Sequence, residues 1–180
     1  GIPIGGYTQI INKMLKDCVV LTGIDYLKGK EYWSALAKKV VYTGPIDAYF
    51  NYCYGDLEYR TTRFEHNVMH GISDYQGNAI INYTSAEVPY TRIIEHKHFD
   101  WVKTDITVVT REYPEVWHRD ATPYYPINND KNNALYQKYK ELVPATGIIF
   151  GGRLAEYRYY DMHQVIAAAL HDSKKVLTNP

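Results

Sequence analysis

Cysteine is scarce: Cys18 and Cys53 are the only two in 180 residues and form no Cys-x-x-Cys pair. A chain this long needs no disulfide to build a core, so a reduced, cytoplasmic protein is expected. Net charge is lacking as well. Twenty basic residues balance twenty acidic ones, which removes any overall field toward nucleic acid or an anionic membrane and leaves anionic ligands to local charge. No apolar run approaches the roughly 20 residues that cross a bilayer, and the first residues lack the charged-then-apolar order of a signal peptide. Serine, cysteine and lysine stand in no arrangement that marks a protein nucleophile.

What the chain has in excess is tyrosine. Nineteen tyrosines, with three tryptophans and four phenylalanines, bring the aromatics to 14%. Tyrosine joins a flat apolar face to a polar tip, which suits rings, sugars and phosphates, although many such residues serve simply as half-buried strand positions.

Periodicity outlines an α+β chain. A turn at Gly5-Gly6-Tyr7-Thr8 precedes a short amphipathic helix, Gln9 to Lys16, with Ile10, Ile11, Met14 and Leu15 on one face. Cys18 to Leu21 reads as a brief strand, and Lys28 to Lys39 as a loop or irregular helix. Val40 to Tyr42 is a strand broken by Thr43-Gly44-Pro45, followed by a helical turn or two from Ile46 to Tyr52. Alternation then predicts an antiparallel meander of about four strands: Glu58 to Phe64, Ala79 to Thr84, Tyr90 to Glu95 and Thr107 to Tyr113. A polar helix follows Asn128-Asn129-Asp130 to about Val143. After it come a buried strand, Ile148 to Phe150, Gly151-Gly152, and a last helix from about Met162 to His171. That last strand and helix have no evident sheet partner inside the sequence, so an N-terminal portion is expected to be missing. Glu95, His96 and His98 share neighbouring positions but lack a third ligand at a sensible spacing, so no metal is expected.

Five stretches, in order, resemble the UDP-galactopyranose mutase family. They are Ile2-Pro3 with Gly5-Gly6-Tyr7-Thr8; Val41 to Asp47; Tyr59-Arg60 with Arg63-Phe64-Glu65; Val88 to Phe99 (VPYTRIIEHKHF); and Gly151 to Gln164 (GGRLAEYRYYDMHQ). The resemblance implies an antiparallel sheet substrate domain plus a C-terminal strand and helix of an incomplete, Rossmann-like FAD-binding domain. Its implied division is 1–56 (part of the FAD domain and the connection to the sheet), 57–127 (sheet domain) and 128–180 (the return to the FAD domain). The opening G-x-G-x-x-G loop is not in the sequence.

The family reaction interconverts UDP-galactopyranose and UDP-galactofuranose, with reduced FAD as the nucleophile at the anomeric carbon. By the same resemblance, Arg92 stabilises the departing diphosphate, and Asn82, Arg92, Tyr124 and Tyr159 contact substrate. A planar guanidinium suits the diphosphate, and prolines on either side of Tyr124-Tyr125 stiffen that presentation. Arg153, Tyr160, Asp161, Met162, His163, Gln164 and Val165 are the expected cofactor contacts, with the start of the last helix aimed at the flavin edge and Asp161 equally able to serve as its N-cap. Expected partners are UDP-galactose, no nucleic acid and no membrane insertion, with a homodimer allowed. Arg60 and Arg63 fit either a basic cleft lining or a solvated sheet face. The competing readings are an amine-oxidase-like FAD oxidoreductase and a non-catalytic nucleotide-sugar binding module. The fragment by itself is expected to hold FAD poorly and to be inactive.

Overall fold

The computed structural model describes residues 2–100 and 102–178. Its elements run α1 (Thr8–Met14), α2 (Lys30–Ala35), β1 (Val41–Tyr42), α3 (Ile46–Tyr49), β2 (Tyr59–His70), β3 (Ile80–Asn82), β4 (Arg92–Glu95), α4 (Lys97–Asp100), β5 (Ile106–Val116), β6 (Tyr125–Pro126), α5 (Asp130–Leu142), β7 (Ile149–Phe150), α6 (Gly152–Ala155) and α7 (Met162–Thr178). Short 3-10 turns occupy Tyr26–Gly29 and Val143–Thr146. The chain is α+β and divides into two compact units, Gly1–Ile24 with Thr62–Val116 and Asp25–Thr61 with Trp117–Pro180.

The first unit is built on antiparallel strands in the order β3-β4-β5-β2. Alternating side chains sort onto two faces. Ile93, Glu95, Thr107 and Val109 are buried, and the cross-strand pairs Asn82↔Arg92 and Arg92↔Glu112 put three polar residues in one row of the other face. Strands β2 and β5 run further than the alternation predicted, to His70 and Val116.

Glu95, 0% exposed, is the knot of this unit. Its carboxylate accepts the amides of Tyr75 and Gln76 and, at 2.6 Å, the Thr107 hydroxyl, so it organises the turn that leads into β3. Burial pulls its pKa upward, but the Thr107 hydroxyl, the two amides and His98 outweigh that pull and hold it down at about 2. Lys97 Nζ lies 3.7 Å away and donates to the carbonyls of Ile72, Ser73 and Thr104. On the opposite face, His66 Nδ1 and His96 Nε2 each lie 2.7 Å from the Thr110 hydroxyl.

Cys18 to Leu21, expected to be a strand, is not one. Val19 is 90% exposed, and no strand neighbours the segment among the described residues. Four apolar residues without a hydrogen-bonding partner do not make a ladder. The region left between loop and helix contains α2.

The second unit packs around Ile46, Leu57, Tyr59, Tyr139 and Tyr157, with Phe50, Leu135, Tyr136 and Phe150 at the margins. Two of its tyrosines bury their rings and spend their hydroxyls on backbone, while the buried Tyr59 hydroxyl has no hydrogen-bond partner among the described residues. Tyr139 donates to the Gly55 carbonyl at 2.6 Å and accepts the Tyr54 amide, while Tyr157 donates to the Glu58 carbonyl. The buried Asp47 carboxylate accepts the amides of Ala48 and Leu57, and burial pushes its pKa up against the pull of those amides. The head of β2 pairs antiparallel with β6, Arg60 opposite Tyr125. β1 and β7 form a parallel pair, Val41↔Ile149 and Tyr42↔Phe150. The last helix starts at Met162 as its sequence predicts and continues to Thr178.

Candidate functional site

In the first unit, Arg92 projects from β4 between two neighbours of its own register row. Its Nε donates to Asn82 Oδ1 at 2.8 Å, and Nη1 lies 3.7 Å from Glu112 Oε2. The structure thus brings together Asn82 and Arg92, both expected substrate contacts, and adds Glu112. The Asn82 side-chain oxygen is committed to the guanidinium, so its first role here is to orient Arg92. Glu112 is missed by sequence reading because only the strand register sets it beside Arg92, twenty residues away in the chain.

In the second unit, Arg153 fastens the tyrosine-bearing segments together. Nη1 donates to the Tyr124 carbonyl at 3.1 Å and Nη2 to the Tyr160 carbonyl. Its guanidinium also lies 5.3 and 5.2 Å from the ring centroids of Tyr125 and Tyr159, which stack on each other at 5.3 Å. Arg153 is therefore occupied with backbone and rings of its own unit. Tyr125, the second tyrosine of the Pro-Tyr-Tyr-Pro run, stacks on Tyr159; in an extended strand neighbouring side chains leave on opposite sides, so Tyr124 and Tyr125 part company, but which of them meets Tyr159 is set by the fold. An open cleft of about 530 Å3 lies beside the pair, lined by Arg60, Tyr125, Pro126, Asn129 and Tyr159. Arg60, itself exposed, is among the residues that line this cleft, one of the two settings expected for it.

Tyr157 directs this arrangement. It takes φ 45°, the left-handed region that costs a non-glycine residue about 1 kcal/mol, and its buried hydroxyl bond to Glu58 holds it there. The chain turns at that point and sends Tyr159 outward, 50% exposed, while Tyr160 is buried.

Asp161, Met162, His163 and Gln164 are exposed at the start of α7, and Val165 is half-buried. The capping bond seen at this helix start is the Asp161 amide donating to Gln164 Oε1 at 2.9 Å, half of a capping box. The amides of Gln164 and Val165 already donate to the Asp161 carbonyl. Donors for an incoming ligand must therefore come from Met162 and His163, whose positions have no intrahelical acceptor. Val165 lines a mostly apolar groove of about 380 Å3, together with Val41, Thr43, Ile149 and Gly151.

Asp74 joins Glu95 and His98 to place three potential ligand atoms within 4.8 Å of one another, a third group that residue spacing does not reveal. The Glu95 oxygens are already shared among two amides, a hydroxyl and His98 Nε2 at 3.1 Å. Glu95 is thus a hydrogen-bonded turn anchor, while His98 Nε2 approaches Asp74 and Glu95 at 3.4 and 3.1 Å without a hydrogen bond of good geometry.

Comparison with known proteins adds the family. The sequence profile of the UDP-galactopyranose mutases matches residues 1–159. A probable UDP-galactopyranose mutase of Klebsiella pneumoniae is 44% identical over 142 residues, 78% of this chain and 36% of that protein. A dTDP-fucopyranose mutase of Escherichia coli is 32% identical over 190 residues, covering 99% of this chain and 49% of that one. The UDP-galactopyranose mutase of Mycoplasma pneumoniae is 32% identical over 98% of this chain and 48% of its own length. The chain thus spans between about a third and a half of the relatives it matches. With the profile running unbroken through the sheet row of Arg92 and the tyrosine pair to Tyr159, the chain belongs to the UDP-galactopyranose mutase family.

Proposed function

We propose that this chain is the part of a flavin-dependent mutase that binds nucleotide sugar, acting on UDP-galactopyranose and UDP-galactofuranose. The observation that carries the reading is Arg92, a partly exposed guanidinium fixed at Nε by Asn82 with Nη1 beside Glu112. A departing diphosphate gains charge, and an oriented guanidinium that needs no reorganisation stabilises it by roughly 2 to 4 kcal/mol. In the second unit, Tyr124 and Tyr159 are the candidates for substrate contact, with Arg153 holding the carbonyls of Tyr124 and Tyr160 and Tyr125 stacking on Tyr159.

The residues present fit a flavin. Ligands of parallel sheets sit outside the carboxyl ends of the strands. Thr43 and Gly151, which follow β1 and β7, line the apolar groove with Val165 of α7. Tyr160 to Val165, with Arg153 behind them, would hold the group, and the α7 start would favour negative charge at its edge. FAD in its reduced form supplies a nucleophilic ring nitrogen. The protein's own part is to orient the sugar nucleotide, neutralise the diphosphate and keep water away. Strands β1 and β7 are on this reading a piece of a larger FAD-binding domain, and the fragment alone neither holds FAD tightly nor turns over.

The Escherichia coli relative makes dTDP-fucopyranose the second substrate to assay. The test is flavin absorbance of the intact protein, then turnover of dithionite-reduced enzyme with UDP-galactopyranose and with dTDP-fucopyranose. UDP should compete, and Arg92→Ala should lower turnover about a hundredfold or more. A colourless protein, or turnover indifferent to Arg92, would refute the proposal. Turnover of the dTDP sugar alone would reassign the substrate.

A further inference from the structure

An arginine carries five N–H donors in a planar fork, and part of this fork is committed. Asn82 Oδ1 closes the Nε side of Arg92 at 2.8 Å. A phosphate can therefore be taken two-pronged only by the terminal Nη1 and Nη2 nitrogens. Glu112 lies beside one of these two nitrogens, its Oε2 3.7 Å from Nη1. The strand register makes the arrangement obligatory, since Asn82, Arg92 and Glu112 occupy one row of three adjacent strands. The Glu112 side chain is 17% exposed against 40% for Arg92, so the guanidinium is reachable while the carboxylate is largely covered.

We infer that Glu112 is a positioning residue that acts through Arg92, an internal counter-ion competing with the phosphates for the same guanidinium. It keeps the fork aligned and lowers affinity for the resting nucleotide. The full attraction of Arg92 is then felt only as the diphosphate gains charge in leaving. This rests on the reading of Arg92 as the diphosphate contact. A carboxylate a few ångströms from the phosphates, screened by partial exposure, should weaken nucleotide binding about three- to tenfold.

The test is UDP titration by calorimetry on the full-length holoprotein, with kcat measured alongside. Glu112→Gln should bind UDP about three- to tenfold more tightly and turn over more slowly. Glu112→Ala gives the same sign by a different route if the glutamine variant folds poorly. Arg92→Ala should weaken UDP at least about tenfold, and the double variant should show no gain over it, because the competition runs through the arginine. A merely structural Glu112 would weaken UDP binding and lower the melting temperature together, and that result overturns the inference. Weaker UDP binding in Arg92→Ala with unchanged affinity in both Glu112 variants also overturns it while leaving the diphosphate reading intact. Unchanged UDP affinity in Arg92→Ala removes both.

Discussion

Replacing Glu95 with glutamine should loosen the turn at residues 74–77 by an amount that depends on pH. The native carboxylate receives two backbone amides and a hydroxyl. Glutamine keeps one acceptor oxygen and sets an N–H2 against the remaining donors. Leaving a charged network with one partner missing costs about 3 kcal/mol or more. Linkage gives a similar figure: a pKa held at about 2 instead of 4.5 corresponds to roughly 3 kcal/mol at neutral pH. Because the folded pKa is the lower one, this stabilisation is complete above the unfolded value of 4.5 and is lost as pH falls from there toward 2. Hydrogen exchange of the Tyr75 and Gln76 amides is the direct assay. At pH 7 the variant should exchange about a hundredfold faster than wild type, and in stability curves the gap should close as pH approaches 2. A gap under about tenfold at pH 7, or one that persists unchanged into acid, would refute the account of Glu95 as an ionised anchor.

Two further outcomes are expected. Tyr139→Phe removes a fully buried hydroxyl that serves the Gly55 carbonyl and the Tyr54 amide, so thermal or denaturant unfolding should report a loss of about 1 to 3 kcal/mol. Arg153→Lys can replace only part of a fork that holds two carbonyls and faces two rings. The expected result is a drop in turnover of about tenfold at nearly unchanged melting temperature, read by steady-state kinetics.

Much of this architecture was legible in the residues. The alternation from Tyr59 to Tyr113 exposed the meander, and the start of α7 was marked by Asp161 before a run of apolar spacing. Strand β6 was not, because Pro126 forbids a central ladder position and a two-residue edge strand leaves no period. The Cys18 to Leu21 strand failed for the opposite reason, β-type residues with nothing to pair against. At the site, the sequence supplied Arg92, Asn82 and Tyr159 through their neighbours in motifs. Glu95 invited a metal reading, and Glu112 carried no signal of its own within its strand. Burial and register, which depend on residues far along the chain, gave each its part.

The parallel pairing of Val41–Tyr42 with Ile149–Phe150 joins segments about a hundred residues apart. On a ribosome making about 5 to 20 residues per second, the earlier strand waits on the order of ten seconds for its mate. During that interval the intervening sheet can fold from its own nearer contacts, and the nascent chain carries the earlier strand without this neighbour.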